Sequence, residues 1–193
     1  AGLSSAKELA EKGLDVLVLE LQAQVGQDKT SSWVSSDFFN EKFSATVESS
    51  VKEVEISSMH NRLVIKGNYG EIIDRTLFDK ILAREAIEEG VEIWVSSPVK
   101  DFLKEDNAIS GVRAEAGSWS EEIRSEAVID ATGSSAVWSS LFLKKLLNSE
   151  WDKQKINQVS EYLMANASTD NKVSIYFSSI FAPMGFAWIY PGK

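Results

Sequence analysis

The chain opens with a helical pattern of apolar positions, which is followed at once by an almost unbroken apolar run. The helical positions are Leu3, Ala6, Leu9 and Ala10. Gly13 stands where a glycine commonly ends a helix. The apolar run from Leu14 to Leu19 stops at Glu20, and such runs are typical of a strand buried on both faces of a parallel sheet. We therefore predict a helix from residue 2 and then a buried strand that ends in an acidic residue.

The middle of the chain predicts a loop, short strands and one long helix. Glycine, serine, glutamine and aspartate crowd 22–37, which predicts a loop there. Apolar residues between 51 and 65 predict short strands joined by polar turns. Thr76 and Asp79 have the spacing of a capping box, which predicts that a helix begins there and ends at Gly90. The predicted apolar stripe of this helix is Leu77, Phe78, Ile81, Leu82, Ala86 and Ile87.

Strand patterns dominate after this helix. Val91, Ile93 and Val95 alternate as in a short strand. An antiparallel meander is predicted next, with strands at 98–104, 108–115 and 118–124. Ala127–Ala131 predicts another buried strand, closed by a turn at Thr132-Gly133. The elements predicted beyond residue 136 are helices at 141–147 and 156–164 and strands at 173–181 and 186–190.

The opening helix and strand have the order of the second half of a βαβ unit that binds a dinucleotide. In such a unit the pyrophosphate lies at the helix N-terminus, and an acidic residue after the second strand binds the ribose. Gly2 occupies the place of the last glycine of a G-x-G-x-x-G motif, and Glu20 follows 18 residues later. The other glycines and the first strand of the motif would lie before residue 1. The segment is equally compatible with a surface helix followed by an ordinary core strand.

Composition and charge exclude several other classes of function. The formal net charge of −9 disfavours nucleic-acid binding, because an acidic surface repels phosphate. Cysteine is absent and His60 is the one histidine, which excludes disulfides, cysteine nucleophiles and histidine-rich zinc sites within this sequence. No apolar run is long enough to span a membrane, and no secretory signal is recognisable, so we expect a cytoplasmic location.

Four stretches of the sequence resemble motifs of the FAD-dependent geranylgeranyl reductase family, whose flavin domain is like that of FAD-using aromatic hydroxylases. The first, AGLSSAKELAEKGLDVLVLE, is similar to the end of the family's G-x-G-P-A-G helix and its acidic strand end. The second, IDRTLFDKILAREAIEEGVEI at 73–93, is similar to the family's D-R-x-x-F-D-x-x-L helix. The last two are AVIDATGSSAV at 127–137, similar to a strand and A-x-G-x-x-S turn, and PMGFAWIYPGK at 183–193, similar to the G-Y-x-W-x-F-P motif of the substrate domain.

The resemblance implies an α/β fold with two domains, neither of them complete. One would be an FAD-binding, Rossmann-like domain of the aromatic-hydroxylase type that contains the antiparallel meander and comprises 1–35 and 70–140. The other would be part of an α+β substrate domain and would comprise 36–69 and 141–193.

The resemblance also assigns roles to individual residues. Ala1 and Gly2 would lie against the FAD pyrophosphate, and Glu20 would hold the adenosine ribose. Arg75 would reach the bound flavin nucleotide, and the backbone of Val99 would meet the adenine. The turn expected beside the cofactor is formed by Asp130, Ala131 and Gly133. The residues expected to line an apolar substrate cavity are Phe186, Trp188, Tyr190 and Pro191.

The activity implied by the resemblance is hydride transfer from reduced FAD to an isoprenoid double bond of a lipid or prenyl substrate. The sequence identifies neither the electron donor nor a catalytic proton donor, and it indicates no metal. A lipid substrate is compatible with peripheral membrane association. A flavin-dependent monooxygenase and a truncated, non-catalytic flavoprotein-like domain remain as alternatives.

The sequence departs from the family pattern in two places. Archaeal relatives often carry a cysteine followed by glycines in the loop after the acidic strand, whereas the corresponding residues Thr30–Val34 include neither. The family's later G-D motif would lie beyond residue 193. We expect the present chain alone to bind FAD poorly and to be inactive.

Overall fold

The computed structural model describes residues 1–27, 30–37, 39–106, 108–133, 159–164, 170–180 and 182–191. In these ranges the α-helices are α1 (Gly2–Ala10) and α2 (Arg75–Glu88), and a 3₁₀ helix spans Glu41–Thr46. The strands are β1 (Leu17–Leu19), β2 (Ser32–Val34), β3 (Val47–Ser50), β4 (Glu53–Ser57), β5 (Arg62–Lys66), β6 (Glu71–Ile73), β7 (Glu92–Trp94), β8 (Val99–Glu105), β9 (Ala108–Ala116), β10 (Trp119–Arg124), β11 (Lys172–Tyr176) and β12 (Ala187–Ile189).

The chain divides into two compact units. The first comprises Ala1–Gln27 and Leu82–Ser160, and the second comprises Asp28–Ile81 and Glu161–Lys193, so one boundary falls within α2. The predicted assignment of 1–35 and 70–140 to an FAD-binding domain, and of the remainder to a substrate domain, stays a prediction.

The first unit begins with the helix that the opening pattern predicts. Gly13 ends the turn after α1 as predicted, and its φ of +81° is the left-handed conformation that glycine favours. The N–H of Gly13 donates to the carbonyl of Ala10 at 2.8 Å, and the N–H of Leu14 donates to the carbonyl of Leu9 at 3.2 Å. These bonds pair carbonyls that the end of a helix would otherwise leave unsatisfied.

β1 and β7 form the parallel strand pair of this unit. Ala6, Ala86 and Val91 are buried together, and Val16 and Val18 pack against them. The prediction of burial on both faces is wrong for β1, because its three residues are only half-buried.

The antiparallel meander of β8, β9 and β10 is confirmed, with β9 in the centre. Gly111 lies opposite Arg124 where β9 and β10 approach closely. A Cβ at Gly111 would fall 2.1 Å from the carbonyl oxygen of Ile123, at a φ of +149°. Only glycine therefore fits this position of the sheet.

The second unit contains two sheets that pack around one apolar core. The four-stranded sheet has the order β12-β11-β4-β5, and the three-stranded sheet has the order β2-β6-β3. β4 and β5 confirm the strands predicted between 51 and 65, and β11 and β12 confirm those predicted at 173–181 and 186–190, with shorter bounds. The buried core residues are Val51, Val54, Ile72 and Val173. The residues that pack against them are Trp33, Ile56, Ile65, Tyr69, Ile175 and Tyr190.

Two predictions for local structure in this unit are wrong. The segment 22–37 is not entirely loop, because Ser32–Val34 pairs with β6 as strand β2. The predicted capping box does not start α2. Asp74 caps the helix instead, accepting a hydrogen bond from the N–H of Leu77 at 3.0 Å, and Asp79 pairs with Arg75.

Three further predictions differ from the structure or lie outside it. Leu77 and Ile87 of the predicted stripe are substantially exposed, and α2 buries Ala83 and Ala86 instead. The buried strand predicted at Ala127–Ala131 does not form, because no strand in the described ranges pairs with this segment. The segment is not buried either, since Ile129 is 57% exposed. Of the two helices predicted beyond residue 136, the one at 141–147 lies outside the described residues. The other is described only at 159–164, which are not helical.

Candidate cofactor and substrate sites

The N-terminus of α1 is open to an anion. Ala1 is the N-cap residue and makes no capping hydrogen bond through its side chain, and the first turn contains no acidic residue. The first N–H groups of a helix have no partners within it, and the helix dipole adds a partial positive charge at the same end. This end of α1 is therefore suited to a phosphate or pyrophosphate group.

Gly2 and Ala131, two residues predicted to lie beside the cofactor, are in close proximity. A Cβ placed on Gly2 would lie 3.1 Å from the Cβ of Ala131, which is tighter than an ordinary contact between carbons. Glycine at position 2 therefore lets the first turn of the helix and the turn after residue 129 approach each other.

That turn is held by its own side chains. Asp130 Oδ1 accepts hydrogen bonds from the N–H of Thr132 at 3.0 Å and from its hydroxyl at 2.7 Å. Gly133 has a φ of +76°, a left-handed conformation suited to glycine. Asp130 thus shapes the backbone, and its role toward a cofactor stays a prediction.

Glu20 directly follows β1, at the carboxyl end of the parallel pair. Its N–H donates to the carbonyl of Trp94 at 2.8 Å, and its carbonyl accepts from the N–H of Ser97 at 2.9 Å, which fixes the backbone. Oε1 accepts from the N–H of Gln22 at 2.8 Å. Oε2 has no hydrogen-bond partner among the described residues, so it can accept a ribose hydroxyl.

Arg75, which belongs to the second unit, contains a polar atom without a partner. Its Nη2 lies 3.3 Å from Asp79 Oδ1, and its guanidinium carbon lies 5.7 Å from the centre of the Phe78 ring. Its Nε is buried and has no hydrogen-bond partner among the described residues. Because an unpaired buried donor is costly, a ligand oxygen that accepts from Nε would stabilise this side chain.

Val99 stands at the beginning of β8, opposite Ala114 of β9. It is half-buried, and the carbonyl of the preceding Pro98 accepts from the N–H of Glu115 at 3.0 Å. The structure thus places Val99 at the edge of the meander, and its predicted contact with adenine stays a prediction.

The predicted substrate residues form a row of aromatic rings along β12. The ring centres of Phe186 and Trp188 are 5.7 Å apart, and those of Trp188 and Tyr190 are 6.1 Å apart. Phe186 is about half-exposed, whereas Pro191 at the other end is fully buried. Burial raises the pKa of the Tyr190 phenol, and the charge of Glu161 raises it further.

Phe177 extends this row and was not predicted from the sequence. Its ring centre lies 5.7 Å from that of Phe186. It also lines an open groove of about 370 Å³ together with Met59, His60 and Met184. The signal that could have identified Phe177 is the alternation of apolar residues at 173, 175 and 177, which puts it on the same strand face as the core.

A charged cluster on the four-stranded sheet was also missed. The buried carboxylate of Glu55 receives Arg62 Nε at 2.8 Å and Nη2 at 3.0 Å, and Lys172 Nζ at 2.8 Å. Hydrogen bonds from Arg62 and Lys172 lower the pKa of Glu55 to about 2. The cluster connects β5, β4 and β11. Lys172 is 117 residues from Glu55 in the sequence, so no local pattern indicates that the two pair.

A family model described as FAD-dependent oxidoreductase matches residues 1–180. The chain belongs to the FAD-dependent oxidoreductase family. Membership of this family confirms FAD as the predicted cofactor. The contacts of individual residues with it stay predictions.

Curated relatives support the resemblance to geranylgeranyl reductases. The chain is 28% identical to a digeranylgeranylglycerophospholipid reductase of Picrophilus torridus, over 99% of this chain and 51% of the relative. It is 27% identical to the reductase of the same name from Methanosarcina acetivorans, over 99% of this chain and 49% of the relative. The chain thus spans about half the length of the curated relatives it matches.

The fold class is confirmed by a solved structure. A geranylgeranyl bacteriochlorophyll reductase-like protein from Thermoplasma acidophilum aligns with 100% of this chain and 51% of its own length, with a TM-score of 0.70 at 19% identity. This agreement supports the predicted α/β fold with a Rossmann-like FAD-binding domain.

Two further observations concern only the described residues. None of their helices has the length and apolar character required to cross a bilayer. They also contain no cluster of three or more histidine, cysteine, aspartate or glutamate side chains that could hold a metal ion.

Proposed function

We propose that the protein containing this chain is an FAD-dependent reductase that saturates isoprenoid double bonds of a prenyl lipid. The observation that carries this proposal is the row of rings from Phe177 through Phe186 and Trp188 to Tyr190. A long hydrocarbon chain binds such a row by burying apolar area, at about 25 cal/mol per Å². The names of the curated relatives support the same substrate class.

The residues of this chain would hold the cofactor and exclude water from the reaction. Bound FAD supplies hydride transfer, which protein side chains do not perform. The N-terminus of α1 would stabilise the negative pyrophosphate, and Gly2 keeps that end free of a side chain. Glu20 Oε2 would accept from a ribose hydroxyl, and Arg75 Nε would donate to an oxygen of the nucleotide. No described residue is assigned as the proton donor.

Two alternatives have less support. A flavin-dependent monooxygenase shares this fold, but the curated relatives described above are named reductases. A non-catalytic flavoprotein-like domain would retain the fold without turnover. The electron donor is unassigned, and a cytoplasmic location with peripheral membrane association remains part of the proposal.

The decisive experiment supplies the protein with FAD, a chemical reductant and a geranylgeranyl lipid, and measures saturation of the lipid by mass spectrometry. Trp188→Ala should raise the KM for the lipid while the flavin spectrum is unchanged. Trp119→Ala, a change at a partly exposed tryptophan of the first unit, is the matched control and should have no effect. Oxygen consumption with NADPH and no saturated lipid would instead identify a monooxygenase.

Cofactor binding is tested separately by titration with FAD. Gly2→Val should weaken binding, because its side chain would crowd Ala131, whereas Glu8→Val on the exposed side of α1 should not. A protein that carries no flavin absorbance once unbound FAD is removed would favour the non-catalytic domain.

A further inference from the structure

The short loop between β7 and β8 bonds to the segment that carries Glu20. The N–H of Ser97 donates to the carbonyl of Glu20 at 2.9 Å, and the N–H of the preceding Ser96 donates to the carbonyl of Gln22 at 2.8 Å. Successive N–H groups of an extended strand point to opposite sides, so a continued strand could not direct both of them to one neighbour. The backbone must therefore turn at Ser96, between the two bonds.

Ser96 makes this turn in a conformation that is uncommon for its residue type. Its φ is +51°, in the left-handed region that favours glycine. The hydroxyl of the buried Ser97 donates to the carbonyl of Val95 at 3.0 Å, which closes the backbone around Ser96. A strained conformation of this kind persists only where its surroundings hold it, and such conformations are concentrated at functional sites.

The bond from Ser96 constrains the carboxylate of Glu20 through Gln22. Ser96 fixes the carbonyl of Gln22, and the N–H of the same residue donates to Glu20 Oε1 at 2.8 Å. One oxygen of the carboxylate is thus occupied by the backbone. The other oxygen, Oε2, has no hydrogen-bond partner among the described residues and can accept from a ligand.

The pairing of β1 with β7 does not supply this constraint by itself. It fixes the backbone of Glu20, whose N–H donates to the carbonyl of Trp94 at 2.8 Å. Gln22 lies beyond the end of β1, so the ladder of the two strands does not include it. The bond from Ser96 extends the pairing to Gln22, and through Gln22 to the side chain of Glu20.

We propose that Ser96 is a positioning residue for the adenosine end of the cofactor. Its left-handed backbone holds Gln22 so that Glu20 Oε1 stays bonded and Oε2 is free for a ribose hydroxyl. An acceptor that is fixed before binding loses less conformational entropy when the ligand arrives, which increases affinity. The inference rests on the role of Glu20 in the proposed function and adds the residue that orients it.

The test is titration of the full protein with FAD, followed by flavin fluorescence. Ser96→Val keeps the N–H but disfavours the turn, because β-branched residues rarely adopt a positive φ. It should weaken FAD binding about tenfold, the effect of losing a hydrogen bond to a charged group. Ser96→Gly adopts the same conformation without strain and should retain the affinity.

Two further variants separate positioning from a loss of stability. Asp106→Val is the matched control, because Asp106 also has a positive φ, +45°, and follows the end of β8 opposite to Val99. It should lower the melting temperature and leave the FAD affinity unchanged. In a protein that carries Glu20→Ala, Ser96→Val should change the affinity by less than about twofold, because the carboxylate that it orients is already absent.

Four results would overturn the proposal. One is FAD binding by Ser96→Val that equals binding by the unchanged protein. Another is a tenfold loss that persists in the Glu20→Ala background, because it would then come from the loop and not from the carboxylate. The third is an equal loss in Asp106→Val, and the fourth is a full protein that binds no FAD. Failure of the proposed function would appear instead as absent lipid saturation while FAD binds and these differences in affinity remain.

Discussion

Ile72 of β6 provides the most direct test of how the second unit is stabilised. Its side chain is fully buried between the two sheets, in contact with the cluster of Val51, Val54 and Val173. Ile72→Ala removes three carbon groups, which at about 0.8 kcal/mol each gives roughly 2.4 kcal/mol of lost transfer free energy. The cavity left behind raises the expected loss of stability to about 3–5 kcal/mol, whereas Ile72→Val should cost about 1 kcal/mol.

The measurement is urea unfolding followed by tryptophan fluorescence, to which Trp33, packed against this cluster, contributes. With a slope of about 2 kcal/mol per molar urea, Ile72→Ala should lower the midpoint by about 2 M. Leu63→Ala on β5 is the control, because Leu63 is 54% exposed and should shift the midpoint little. The packing argument fails if Ile72→Ala and Leu63→Ala give the same shift, or if the alanine and valine variants of Ile72 are equally stable.

Three more predictions concern the second unit. Because the pKa of Glu55 is about 2 against an ordinary 4.5, its contribution to stability is full above pH 4.5 and is lost as the pH falls toward 2. Glu55→Gln should flatten the pH dependence of the urea midpoint in that window, and an unchanged slope would count against the cluster. Gly70→Ala should lower the melting temperature sharply, because the added Cβ would lie 1.9 Å from the carbonyl oxygen of Val34. Gly185→Ala is the control and should not lower it, because a Cβ there meets open space. Equal melting temperatures of the two variants would refute the steric argument. Because burial raises the pKa of the Tyr190 phenol, this group should ionise at higher pH than an ordinary tyrosine. In a pH titration of tyrosinate absorbance, Tyr190→Phe should remove the part of the signal that appears at the highest pH. Loss of a part that appears at ordinary pH would contradict the effect of burial.

The elements that could be predicted from the sequence are those with strong local signals. The apolar spacing in α1, the glycine that ends it and the alternation in β8–β10 each arise within a few residues. The cofactor class followed from similar local motifs at Gly2 and Glu20, supported by their resemblance to a family.

The failed predictions depended on tertiary contacts. Ser32–Val34 forms a strand by pairing with β6, although the surrounding segment 22–37 has a composition typical of a loop. Ala127–Ala131 has the composition of a buried strand, yet burial depends on neighbours that this pattern does not specify. Phe177 and Met59 come together only because β4 and β11 are parallel neighbours, which no local periodicity indicates.

The parallel pairing of β4 and β11 has a consequence for how the protein is made. Lys172 and Glu55 are 117 residues apart, so the hairpin of β4 and β5 leaves the ribosome long before its partner strand is synthesised. Until then the edge of β4 that pairs with β11 is open, and Val54 and Ile56 lack their neighbours on that strand. Contacts of such long separation form slowly, and exposed strand edges associate with other chains. Nascent chains halted before residue 172 should therefore be the form of this protein most dependent on chaperones.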